Sequence, residues 1–206
     1  MNYKSFRAVF NKLFVANDFP DNWWAVRYQS SWGKDCSGGL PSEGTAEAKL
    51  RYAKNPQYLF YPVEDCELFV SLGQLDGRTK GEDGEYAPYP FANRVLCAHI
   101  AIFDIGDQEC LQQYGKPIVT AGPAKMSELS IRVKLKAGSR YIIVPTTKDL
   151  NKEGNFFLSM YFSCELHDVD IKRIGKPQER CKSQLPLTIL DSFVMEEYEK
   201  ADRMVP

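Results

Sequence analysis

The chain has 206 residues, 44% of them hydrophobic and 13% aromatic; that length fits one large domain or two small ones with a sizeable core, and the aromatic content argues against a disordered chain. Its 26 basic and 27 acidic side chains nearly cancel to a net charge of -1, so neither the basic excess expected of a nucleic-acid binder nor an acidic solvating tail is present. No window approaches the roughly 18 apolar residues of a membrane span.

In chain order, residues 5–15 place Phe6, Val9, Phe10, Leu13 and Phe14 at helical spacing, with Ser5 as N-cap, and Pro20 ends the run. From Trp24 to Trp32 the period becomes two, a strand pattern. Gly33 to Pro41 is a loop by composition, and residues 44–54 read as a loop or a short helix. Asn55 to Pro62 is short, aromatic and bounded by prolines, which suggests an edge strand. Cys66 to Leu75 reads as a mostly buried strand. Residues 76–91, with Gly77, Gly81, Gly84, Pro88 and Pro90 and no apolar period, form the longest expected loop. Arg94 to Asp104 is the strongest strand, apolar on both faces as a central sandwich strand is. Residues 106–127 read as a second irregular stretch. Leu129 to Leu135 alternates with one wet face, and Gly138 is expected to turn it through a tight hairpin into a strand at 140–146. Strands at 156–162 and 168–174 follow, then an extended exit from 185 and a helix capped by Asp191 or Ser192. About eight strands without long intervening helices predict an all-β fold, an antiparallel eight-stranded sandwich with a short helix at each end.

The six cysteines are Cys36, Cys66, Cys97, Cys110, Cys164 and Cys181. No pair has zinc-ligand spacing, and the first residues lack the apolar core of a secretion signal. The cysteines are therefore expected to be reduced, in a cytoplasmic protein, and buried as small apolar side chains rather than joined as disulfides.

Three blocks of residues, taken in order, carry a family resemblance. Trp32-Gly33, Gly38-Gly39 and Asn55-Pro56-Gln57-Tyr58 form the first. Val70 to Asp76, running into Arg78, forms the second. The third is the series Leu135 to Thr147, followed by Gly154-Asn155-Phe156-Phe157-Leu158. Over about residues 23–165 they resemble domain III of the calpain cysteine proteases, a C2-like β-sandwich. Phe6 to Phe14 is similar to the segment that closes the calpain protease core just before that domain. The resemblance implies an N-terminal helix and linker at 1–22, a C2-like sandwich at 23–175 and a C-terminal extension with a helix at 176–206. It also implies a regulatory or docking role, with the calpain protease core, another protein or a membrane surface as partner.

A cysteine protease needs a thiolate, a histidine base and an orienting amide, and the resemblance places these in a preceding domain. The histidines here are His99 and His167. Cys97 and His99 share a strand face but stand about 7 Å apart, too far for a nucleophile–base hydrogen bond. Cys36, in a Gly-rich loop, is the remaining nucleophile candidate, and no catalytic residue is assigned. Calcium takes about six to eight oxygens; the carboxylates that could supply them are Asp76, Glu82 and Asp83, with Glu85, and Asp104, Asp107 and Glu109 after the central strand. No other cofactor is expected. The acidic loop that conventional calpains carry after the Asn-Pro-Gln strand shrinks here to Glu64-Asp65 and Glu67, and no Asp-Xaa-Asp spacing appears, so solvated loop charges are the competing account. Arg132, Lys134 and Lys136 alternate on one strand face, with Arg140 just past the turn, and Lys172, Arg173, Lys176, Arg180 and Lys182 follow near the end. Such a strip can meet anionic phospholipid or an acidic partner, although any half-exposed strand alternates in this way. The sequence thus reads as a non-catalytic, calcium-modulated docking module of a calpain-like protease, with protein partners or anionic phospholipid and no nucleic acid. The alternatives are a stand-alone adaptor or cytoskeleton-associated protein, and a hydrolase using Cys36.

Overall fold

The computed structural model describes residues 18–74, 95–164, 172–174 and 188–189. In chain order its elements are β1 (Trp24–Trp32), α1 (Ala46–Tyr52), β2 (Gln57–Phe60), β3 (Cys66–Gly73), β4 (Cys97–Asp104), β5 (Val119–Lys125), β6 (Glu128–Leu135), β7 (Tyr141–Thr147), β8 (Gly154–Phe162), β9 (Lys172–Ile174) and β10 (Thr188–Ile189). Eight strands, β1 to β8, make an antiparallel sandwich. The short β10 and β9 each extend one sheet, giving the orders β10-β1-β8-β3-β6 and β5-β4-β7-β2-β9. The predicted helices at the two ends, the loop 76–91 and the first part of the strand expected at 168–174 lie outside the described residues.

The two sheets bury different amounts of surface, and the sequence patterns follow from that. Between the sheets lies one core, with Val26 and Trp32 from β1, Leu68, Val70 and Leu72 from β3, Ile100 and Ile102 from β4, and Phe156, Leu158, Met160 and Phe162 from β8. A second cluster covers the outer face of the β5-β4-β7-β2-β9 sheet, where Tyr52 of α1, Ile105 and Leu111 pack on Ala101, Phe103, Ile142 and Val144. β4 and β7 are thus apolar on both faces. The other sheet is exposed on its outer face at β6, so β6 alternates, with Leu129, Ile131 and Leu135 buried and Ser130, Arg132 and Lys134 exposed.

The glycines and amides of the first block fasten α1 to this frame. Thr45 caps the helix by accepting the Ala48 N–H. Asn55 Oδ1 accepts the Gly38 N–H at 2.9 Å, while its Nδ2 donates to the carbonyls of Tyr52 at 2.9 Å and Gly39 at 3.2 Å. Gly38 admits no side chain there, because a Cβ would stand 2.2 Å from the Arg51 carbonyl oxygen. Gln57 ties down the loop after β4: its Oε1 accepts the Leu111 N–H and its Nε2 donates to the Leu111 carbonyl. Gln74, in the second block, donates through Nε2 to the Leu96 carbonyl and accepts the Leu96 N–H.

Three expectations change and one alternative is decided. Residues 119–125, read as irregular, form β5, an edge strand that pairs with β4 through a register shift between Ala98 and Ile100. Gly122 and Pro123 fall at that irregularity, where an edge strand tolerates them. The strand expected at an edge, β2, pairs on both sides, with β7 and with the three-residue β9. Of the two readings of 44–54 the short helix is the one found, as α1 over Ala46–Tyr52. Gly138 has the positive φ of a turn residue (+76°), but it makes no hairpin: β6 and β7 belong to opposite sheets, and the turn carries the chain across the sandwich. That crossing is pinned by Ala137 N–H on Asp65 Oδ1, Gly138 N–H on the Pro62 carbonyl and Lys136 N–H on the Tyr141 hydroxyl.

Candidate docking surface

β6 is an edge strand, and its outward side chains define the strip read from the sequence. Register decides what each one faces: Lys134 lies opposite Glu67 of β3, and Arg132 lies opposite Phe69. The Arg132 guanidinium spans Glu67 with Nε to Oε1 at 2.8 Å and Nη2 to Oε2 at 2.9 Å, a two-pronged pair. Lys136 Nζ meets Asp65 Oδ2 at 2.5 Å. These contacts hold both carboxyls below their ordinary range, chiefly through the hydrogen bond from Arg132 in Glu67 and from Lys136 in Asp65, and they raise the pKa of both cations. The side chains of Arg132 and Lys136 nevertheless stay 60% and 77% exposed, so the pairs are screened by water and hold the cations loosely. Arg140 is placed elsewhere, with Nη1 donating to the Asp107 carbonyl at 2.9 Å, in the loop after β4.

Beside the cations lies an aromatic group that the sequence reading did not single out. Phe19 stacks on Tyr161 of β8 at 4.3 Å between ring centres and leans on Phe69 and Trp23. The Arg132 guanidinium sits 5.7 Å from the centre of the Trp23 ring. The signal for it was present in register terms: Tyr161, Phe69 and Arg132 fall in one row across β8, β3 and β6, and that row is invisible until the pairing is known.

The remaining sequence candidates separate. Asp76, Glu82, Asp83 and Glu85 lie outside the described residues. Asp104 Oδ1 accepts the Gly106 N–H, and among the described residues no three His, Cys, Asp or Glu side chains are grouped to hold a metal ion. Cys36 Sγ accepts the Gly33 N–H and donates to the Ser31 carbonyl, so neither of these bonds involves a histidine. His99 is buried in β4, opposite Thr146. Among the described residues no helix is long and apolar enough to cross a membrane.

A family model described as calpain large subunit, domain III, matches residues 28–161. The chain belongs to that family. Calpain-A of Drosophila melanogaster is 24% identical over 190 residues, an alignment covering 78% of this chain and 21% of that protein. Calpain-9 of Homo sapiens is 24% identical over 181 residues, covering 78% of this chain and 24% of its own length. The chain therefore spans a minor part of the relatives it matches, the part that corresponds to the calpain domain III sandwich. Within that domain, Gly38, Asn55 and Gln57 of the first block fasten α1 and the loop after β4, Gln74 of the second fastens the Leu96 segment, and Lys136 to Tyr141 of the third hold the β6–β7 crossing.

Proposed function

We propose that this calpain domain III acts as a non-catalytic regulatory and docking module in the cytoplasm, contacting a protease core or other protein and an anionic phospholipid surface. The observation that supports it is the exposed face of the edge strand β6, where Arg132 and Lys134 stand on one side with Lys136 just past the strand's end, and the carboxylates that restrain Arg132 and Lys136, Glu67 and Asp65, are themselves at the surface. Surface pairs of this kind are worth little, so an approaching layer of phosphates competes for the cations at small cost. Trp23 beside them adds an amphipathic ring suited to the headgroup level, and Phe19 packs an apolar ring against it.

Vesicles containing phosphatidylserine test the reading. Binding is expected at low salt and to fall as salt rises. Lys134→Glu is expected to weaken it about thirtyfold, since a charge near such a surface contributes about 1 kcal/mol and the reversal counts twice. Equal binding by the two proteins, or binding insensitive to salt, would remove the lipid surface from the proposal.

A further inference from the structure

Cys66 opens β3, and Cys164 follows the end of β8. The ladder between these strands pairs Leu68 with Phe162, and its register continues past its last pair. The Ser163 N–H donates to the Glu67 carbonyl at 2.9 Å, and the Glu67 N–H donates to Ser163 Oγ at 2.8 Å. Glu67 and Ser163 thus keep one backbone bond of a hydrogen-bonded position, with the Ser163 hydroxyl in place of the other, and this sets Cys66 and Cys164 at the adjoining non-hydrogen-bonded position. The Cα atoms of such a pair lie about 4.5 Å apart, inside the window of about 4.4–6.8 Å that a disulfide spans. Both side chains belong to the core between the sheets, 7% and 3% exposed, and Cys164 is near enough to help raise the Cys66 pKa. Cys164 also lines an open cleft of about 510 Å³ together with Trp23, Trp24 and Glu64, which gives a small oxidant a route to one sulfur of the pair.

We propose that Cys66 and Cys164 are an oxidisable dithiol, which a peroxide converts into an intramolecular disulfide fastening the start of β3 to the end of β8. The Cys164 sulfur, having given up its proton, attacks one oxygen of hydrogen peroxide; the O–O bond breaks, and a sulfenic acid and, after proton uptake, one water result. The Cys66 sulfur then displaces the sulfenic oxygen, which leaves as a second water with the Cys66 proton as the S–S bond forms. Two thiols and one peroxide give one disulfide and two waters: the sulfurs lose two electrons and the peroxide gains them. Burial raises the Cys66 pKa, the Cys164 contact adds to it, and Glu64 and Asp65 add further. The Cys66 thiolate is therefore scarce at neutral pH, so its attack on the sulfenic sulfur is slow there and closure of the disulfide quickens with pH. The bond closes a loop of about 100 residues, which restricts the unfolded chain and favours the folded one.

The 206-residue chain is treated with hydrogen peroxide, its remaining thiols are alkylated, and it is mapped without reductant by mass spectrometry. The expected product is a peptide pair joining Cys66 to Cys164, about 2 Da lighter than the two thiols, formed faster at pH 9 than at pH 7. A thermal midpoint higher than that of the reduced protein, restored by dithiothreitol, accompanies it. Cys66→Ala and Cys164→Ala lose both the cross-link and the rise; where a variant does not fold, the map of the unaltered chain decides alone. Cross-links scattered over Cys36, Cys97, Cys110 and Cys181, a sulfinic acid at Cys164 beside a free Cys66, or a cross-link that lowers the midpoint would each overturn the proposal.

Discussion

His99 sits on β4, 4% exposed, with its Nδ1 lacking a hydrogen-bond partner, and burial lowers its pKa from 6.5 to about 4. The unfolded chain takes up a proton near pH 6.5 that the folded chain refuses until about pH 4. Between those values the unfolded state binds more protons, so stability rises with pH; on acidification it is lost by up to about 1.4 kcal/mol per pH unit. Glu67 and Asp65, whose pKa values are lowered, contribute stability above their unfolded values of 4.5 and 3.8 and lose it as pH falls further, a window lying mostly below that of His99. Replacing the imidazole by a ring that does not titrate, His99→Phe, is expected to flatten the stability profile between pH 6.5 and 4. Urea denaturation at several pH values checks it, and a slope equal to that of the parent protein would assign the proton uptake to another group.

At the scale of elements, α1 has seven residues, too few to be stable by itself. Its position depends on Tyr52 beneath it and on Asn55 behind it. Asn55→Ala strands the Gly38 N–H and the Gly39 carbonyl in a buried place, while the Tyr52 carbonyl keeps the backbone N–H of residue 55, and an orphaned buried group costs about 1–3 kcal/mol. We expect Asn55→Ala to lower the unfolding free energy by about 3 kcal/mol, read from the urea midpoint with unchanged slope. A loss comparable to that of an exposed substitution would show that these bonds are replaced by water. Most elements were legible because burial imposes a period: β4 is largely apolar on both faces because a second cluster covers one of them, and β6 alternates because its outer side chains are exposed. β5 was not legible, since Gly122 and Pro123 punctuate it like a loop and only pairing with β4 makes it a strand. The path after β6 was not legible either, because Gly138 supplies a positive φ equally to a hairpin and to a crossing between sheets.

For the whole molecule, the near-neutral charge total hides a division. Arg132, Lys134 and Lys136 lie at one edge of the solvent-facing sheet, while Arg140 is drawn to the loop after β4 on the other. The identity of the strip was readable from alternation along one strand. Its partners Glu67 and Asp65, and the rings of Trp23 and Phe19, come from across the sheet and required the register. The calcium reading rests on Asp76, Glu82 and Asp83 in sequence alone, and thermal unfolding of the whole chain decides it. A ligand that binds only the folded form raises the midpoint, so millimolar calcium is expected to raise it and magnesium to leave it unchanged. No shift with calcium would turn those carboxylates into ordinary solvated charges.

Gln74 bonds Leu96 through both ends of its amide, and its N–H reaches the Ser127 carbonyl at 2.7 Å. The points where the chain leaves β3 and returns towards β4 are therefore stapled together by the sandwich itself. Because those bonds set the separation of residues 74 and 96, the two points are held as a fixed pair, and a change at Gln74 loosens the end of β3 and the approach to β4 together.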